Sequence, residues 1–315
     1  MIYRELGNIG LKVSNIALGT VSLGLDYGIK VPGKYRRPKE ADAINLMQQA
    51  ADAGISLFDT APAYGKSEAY LGTVLRSRSN IYVATKVSIP KDCNANPMRG
   101  KNLFETVNDE LKRSRLSLQC NVLDIVQIHN ATIDVIEEGE ITECLLDARN
   151  RGIVRYLGAS VYTEEEALAI IKAKCFSTLQ VAYNLLDQRM AKKVFRAAEE
   201  AGVGIITRSA FLKGALTSNA QWLPSELGDL REAAESARNE LAEGSWQALS
   251  DISLRFCLSA PQVATVLVGA RTVDELNAAL KVAEAGSLPE EMLSKALAMA
   301  LEDEHLLNPS YWPLS

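Results

Sequence analysis

Residues able to do acid–base work stand at the ends of short apolar runs in this chain. The run 55–58 closes on Asp59. The loop beyond it, Thr60-Ala61-Pro62-Ala63-Tyr64-Gly65-Lys66, carries a tyrosine before a helix opens at Ser67-Glu68. Ile81-Tyr82-Val83-Ala84-Thr85 closes on Lys86, and Leu123-Asp124-Ile125-Val126-Gln127-Ile128 closes on His129. A carboxylate at the end of a buried strand is costly unless it is paired or used. Taken singly, these residues admit structural roles: Asp59 as a turn cap, Lys86 snorkelling past a rim, His129 as a satisfied core histidine. Taken together they form a chemical set. An ammonium beside a phenol favours the phenolate and lowers the tyrosine from its reference value of about 10. An aspartate keeps that ammonium charged, and an imidazole can donate to a carbonyl oxygen. Such a set is suited to protonating an alkoxide as it forms.

These positions call for elements that end on one rim. After a short hairpin, in which Tyr3-Arg4-Glu5-Leu6 and Lys12-Val13-Ser14 flank Gly7-Asn8-Ile9-Gly10, strands and helices alternate without a break. Strands are predicted at 16–19, 56–59, 81–86, 122–129, 154–160, 178–183, 203–207 and 265–268. Helices are predicted at 41–53, 67–75, 103–116, 140–150, 163–172, 188–201, 246–257 and 273–283, with one more at 290–301. Thr163 and Glu166 have the spacing of a capping box. The stretch 211–244 reads as irregular or partly helical. Strict alternation means a parallel sheet with helices outside, and eight strands close it into a (β/α)8 or TIM barrel. An open doubly wound sheet would bring a phosphate-binding glycine fingerprint, and neither G-x-G-x-x-G nor G-x-x-x-x-G-K-[ST] occurs. With no linker or composition break, 1–315 reads as a single barrel domain.

Composition narrows the partners. The 315 residues are 47% hydrophobic with a formal net charge of -5 and no basic stripe, which argues against nucleic acid and anionic membranes. No apolar run approaches a bilayer-spanning length. The opening Met1-Ile2-Tyr3-Arg4-Glu5 lacks the apolar segment of a signal peptide. The five cysteines, Cys93, Cys120, Cys144, Cys175 and Cys257, are scattered and odd in number, so neither a disulfide framework nor a metal site is expected. The expected compartment is the cytoplasm.

The run Gly54-x-x-x-x-Asp59-Thr60-Ala61-x-x-Tyr64-Gly65-x-Ser67-Glu68, followed by Thr85-Lys86 and Gln127-Ile128-His129, resembles the aldo-keto reductases. The likeness covers essentially the whole chain. It takes in Leu6-Gly7-x-x-Gly10-Leu11-x-Val13-Ser14, Gly158-Ala159-Ser160, Gln180-Val181-Ala182-Tyr183-Asn184, the loop 209–217 and Gly269-Ala270-Arg271. Bacterial and plant aldose dehydrogenases, including those acting on L-galactose, are among the members it resembles.

That resemblance implies a hairpin plugging the barrel bottom and extra helices in the seventh loop region and at the C-terminus. It implies Tyr64 as general acid and base, Lys86 depressing its pKa, Asp59 pairing with Lys86, and His129 orienting a substrate carbonyl. A nicotinamide cofactor would supply hydride. Ser160 and Gln180 would hold its carboxamide, and Gly19 and Thr20 would line the nicotinamide end. Ser209, Leu212 and Gly214 would follow the pyrophosphate, Arg271 would meet the adenosine phosphate, and Asp59, Gly269 and Glu275 complete the expected cofactor contacts.

Several positions depart from the family pattern. Val161 follows Ser160 where asparagine is common. Arg208 stands where an aromatic often stacks on nicotinamide; it is kept as a cofactor contact or as a partner for a phosphate or an acidic substrate. Glu275 and Ala279 replace a Gln and an Asn that commonly touch adenine. Arg271 argues for NADP(H) and Glu275 against its exclusive use, so NADP(H) is favoured and NAD(H) is possible. The substrate, a small carbonyl compound or sugar, is expected to meet Tyr27, Tyr64, His129, Asn130, the loop 88–102 and Trp312. Trp222 and Trp246 stand either at the edge of the seventh loop or in the core. The competing readings are a cofactor-binding accessory subunit with little catalysis, and a barrel lyase using Lys86 as a Schiff base. The complete four-residue set speaks against the first, since a binding module has no use for a tuned acid.

Overall fold

The computed structural model describes residues 1–33, 35–91 and 97–313. Cys93 and the centre of the 88–102 loop lie outside these residues. Two short antiparallel strands, β1 (Tyr3–Glu5) and β2 (Lys12–Ser14), open the chain with Tyr3 opposite Ser14. Eight parallel strands follow: β3 (Ile16–Gly19), β4 (Leu57–Asp59), β5 (Tyr82–Val87), β6 (Leu123–Ile128), β7 (Val154–Ser160), β8 (Thr178–Ala182), β9 (Gly204–Arg208) and β10 (Val263–Gly269). They lie in chain order, and β10 pairs with both β9 and β3, so the sheet closes into a barrel.

Period-two alternation sorts each strand between barrel interior and helix layer. On β5, Ala84 packs inside with Leu57, Ile125 and Ile206, and Lys86, two residues on, points the same way nearer the mouth. On β6, Ile125 fills the interior, so Gln127 and His129 continue along the same face. The opposite faces meet the helices in a larger core.

The hairpin closes the other end. Leu6, Leu11 and Val13 pack into the interior against Ala17, Ala264 and Leu267. Arg4 fixes it by donating to the carbonyls of Leu258, Ala260 and Val263 at 2.8, 3.2 and 2.7 Å. Gly7 has φ +57°, and a Cβ there would come within 2.5 Å of the Gly202 carbonyl, so the turn needs glycine.

The seventh loop holds the extra helix expected there, Gly228–Ala242, whose buried Leu230, Ala234, Ala237 and Leu241 recur at helical spacing. One element differs from the sequence reading. The expected helix 188–201 is instead a 3₁₀ turn, Arg189–Ala191, then a helix at Val194–Ala201. Asp187 draws Arg189 into a two-bond pair at 2.8 and 3.0 Å, and Lys193 has non-helical backbone angles. The Thr163–Glu166 capping box is formed, and the additional helix near the C-terminus spans Glu290–Leu297. Among the described residues no helix is long and apolar enough to cross a membrane.

Candidate active site

The C-terminal strand ends converge on Asp59. Lys86 Nζ donates to Asp59 Oδ1 at 2.6 Å and to the Thr60 carbonyl at 3.0 Å. The second carboxylate oxygen accepts from Gln180 Nε2 at 2.7 Å and Gln127 Nε2 at 3.1 Å. Lys86 and Asp59 are both buried, so each ion needs these partners to stay charged. Gln127 is a member of this network that the sequence analysis did not single out. Its signal was available, since it shares the inward face of β6 with His129.

Tyr64 hangs over this pair. Lys86 Nζ lies 4.9 Å from the centre of its ring, and the His129 ring meets it edge-on at 5.9 Å between centroids. Burial raises the Tyr64 pKa above 10.0; Lys86 pulls the other way, through its charge and a hydrogen bond, and Asp59 adds to the rise. Lys86 therefore acts in the expected direction, but it does not bring the phenol below its ordinary value, because desolvation is the larger effect. Burial works to discharge Lys86, yet Asp59 and Tyr64 outweigh it and hold the ammonium charged. His129 is pushed down to about 4 by burial, then by the charges of Lys86 and Arg208, with Asp59 opposing. At neutral pH the mouth holds a protonated phenol, an ammonium–carboxylate pair and a neutral imidazole. This arrangement can deliver a proton and donate a hydrogen bond to one small oxygen.

A cavity of about 1370 Å³ runs from these groups along the mouth to Arg271 and Ala279. Gly19, Thr20, Ser160, Gln180, Arg208, Ser209, Gly214, Gly269, Arg271 and Glu275 all line it, as do Tyr27 and Asn130 on the expected substrate side. The chain leaves β9 through Ser209 at φ +64°, Leu212 at +43° and Lys213 at +55°. Alternating hands of this kind turn backbone N–H groups into anion-binding concavities. Arg271 donates from Nη2 to the Tyr27 carbonyl, and its buried Nε–H has no partner among the described residues. A long groove of mixed polar and apolar lining with a guanidinium at one end fits a dinucleotide with its phosphates. Glu275 accepts from the Arg271 backbone N–H at 2.7 Å, and the Thr272 side chain caps the same helix start.

Two expected contacts need correction. Trp312 does not line the cavity: it is buried at 7% exposure with Nε1 bonded to the Leu306 carbonyl, because the tail folds onto its own last helix, Glu304–Leu307. Leu212 does not line the cavity: its side chain is buried in the helix-layer core and its N–H donates to the Ser209 carbonyl at 2.7 Å. Gln180 does line the cavity, with its amide NH2 donating to Asp59. Of the two undecided tryptophans, Trp246 lines the cavity and Trp222 is exposed at 46%. Tyr162 and Lys213 line the cavity without having been expected, since loop residues carry no periodic signal. Among the described residues no cluster of His, Cys, Asp or Glu could hold a metal ion.

Comparisons with known proteins bear on the family and the fold. A model described as "Aldo/keto reductase family" matches residues 15–299. L-galactose dehydrogenase of Arabidopsis thaliana is 26% identical, covering 98% of this chain and 97% of its own. The aldo-keto reductase YhdN of Bacillus subtilis is 27% identical, covering 88% and 87%. The holo form of the aldo-keto reductase AKR11C1 from Bacillus halodurans superposes with a TM-score of 0.78 at 25% identity, over 97% of this chain and 99% of that one. The chain belongs to the aldo/keto reductase family and is an oxidoreductase of the kind that works with a nicotinamide cofactor.

Proposed function

We propose that this protein interconverts an aldehyde, ketone or sugar hemiacetal with its reduced or oxidised partner, using NADP(H), with Tyr64 moving the proton. The observation that carries the reading is the convergence of Tyr64, Lys86, Asp59 and His129 at one cavity mouth. The cofactor supplies or accepts hydride at the carbonyl carbon when bound. The neutral His129 imidazole donates to the carbonyl oxygen and fixes its position. Tyr64 gives its proton to that oxygen as negative charge builds, and Lys86 stabilises the phenolate left behind. In the reverse direction the phenolate removes the hydroxyl proton. Ser160 and the free oxygen of Gln180 orient the carboxamide. Arg271, with its unpartnered Nε–H, supports a 2′-phosphate and hence NADP(H). Glu275 is turned toward the backbone at the helix start, where its charge keeps NAD(H) competitive.

The test is NADPH oxidation with a panel of aldehydes, ketones and aldoses, comparing wild type with Tyr64→Phe. We expect a loss of at least about 100-fold in kcat with nucleotide affinity retained, in line with general-acid removal. Equal turnover in both would end the proton role. Oxidation needs the phenolate, whose pKa burial raises. The oxidative rate is therefore expected to climb with pH from 7 to 9, and reduction to stay flat. Aldose oxidation is a specific arm of the panel because the relative named L-galactose dehydrogenase aligns over nearly the whole chain.

A further inference from the structure

Arg208 ends β9 with its guanidinium laid on the Tyr162 ring, Cζ 4.2 Å from the centroid. Nη2 donates to the Val161 carbonyl at 3.1 Å, and Nη1 reaches Ser209 Oγ at 3.4 Å. All three anchors are neutral, and among the described residues no carboxylate lies within ion-pair distance of Arg208. The neighbouring cation, Lys86, is balanced by Asp59 at 2.6 Å. Arg208 therefore contributes an uncompensated positive charge to a half-buried site.

That charge stands beside the reaction centre. Arg208 lines the same cavity as Tyr64, His129, Ser160 and Gln180, and its Val161 anchor is the residue directly after Ser160. Its field also acts on the Tyr64, Tyr27 and His129 rings. A nicotinamide ring is a cation when oxidised and neutral when reduced. A fixed guanidinium next to its site opposes the first and not the second, and in a partly desolvated mouth that difference is not screened away.

We infer that Arg208 makes the site discriminate between the two redox states of its nucleotide, holding NADPH more tightly than NADP+. The inference rests on the proposed placement of the nicotinamide beside Ser160 and Gln180. In reduction, the charge generated on the ring meets Arg208 and favours departure of the oxidised nucleotide. In oxidation, the same charge works against loading. The chain is thereby biased toward carbonyl reduction by a residue that takes no proton and touches no reacting atom.

The test is binding without turnover: calorimetric titration of NADPH and NADP+ into wild type, Arg208→Gln and Arg208→Lys, with thermal melts as a folding control. Wild type is expected to favour NADPH by about tenfold or more, the scale of one unit charge in a half-buried site. Arg208→Gln should lose about tenfold of that preference, mainly by tightening NADP+, and Arg208→Lys should keep most of it because it keeps the charge. A wild type with no preference overturns the inference. So does a Gln variant with an unchanged ratio, or one that weakens both nucleotides equally, which would make Arg208 a phosphate ligand. Failure of wild type to bind either nucleotide would instead sink the nucleotide-dependent reading itself, and this inference with it.

Discussion

At the scale of single residues, the site is a set of mutual electrostatic constraints. Asp59 accepts from three side chains, so removing Lys86 strands a buried carboxylate. Lys86→Met is expected to destabilise the fold by about 3–5 kcal/mol in urea unfolding, with much of that recovered in the Asp59→Leu/Lys86→Met double variant. Recovery would show that the loss lies in the unpaired charge rather than in the lysine's packing. His129 offers a cleaner readout, because the chain has only two histidines and the other, His305, sits in the helix Glu304–Leu307. Its imidazole resonances should titrate near pH 4; a midpoint at or above 6.5 would contradict the burial and charge argument. The linkage follows in sign. The unfolded chain binds the His129 proton below about 6.5 and the folded chain only near 4. This group's share of stability is therefore intact above 6.5 and lost as pH falls toward 4.

At the scale of elements, the Tyr64 loop is held by neighbours on both sides. The one-turn helix Val21–Gly24 abuts it so closely that a Cβ on Gly24 would lie 1.9 Å from the Tyr64 carbonyl oxygen and 2.4 Å from Ser67 Oγ. Ser67 Oγ in turn donates to the Thr20 carbonyl at 2.8 Å. On the other flank, Thr85, adjacent to Lys86, donates to Glu68 at 2.7 Å, coupling the strand that carries the lysine to the helix that follows the tyrosine. Gly24→Ala must move backbone. We expect it to lower kcat by about tenfold or more through misplacement of the phenol, with nucleotide affinity nearly unchanged. Unchanged kcat in a folded variant would show that the loop is not rigidly buttressed.

At the scale of the whole molecule, the barrel divides stability from chemistry between its two ends. The hairpin plug sits opposite the cavity, with Leu6 fully buried in the interior cluster. Leu6→Ala should cost about 2–5 kcal/mol by leaving a cavity, while kcat of the folded fraction stays at the wild-type value. A matching fall in kcat would mean that the two ends are coupled. The same division governs what could be read before folding. Strand and helix periods are local, so the alternation of eight units, the closed parallel sheet and the rim positions of Asp59, Tyr64, Lys86 and His129 were all legible in the chain. Tertiary structure alone decided which side chains meet across the mouth. It brought Gln127 and Gln180 to the same oxygen of Asp59, laid Arg208 on Tyr162 with no counter-ion among the described residues, and turned Trp312 back onto Leu306. Those contacts depend on the register in which distant strands close the ring and on where loops come to rest, and neither leaves a periodic trace in the residues themselves.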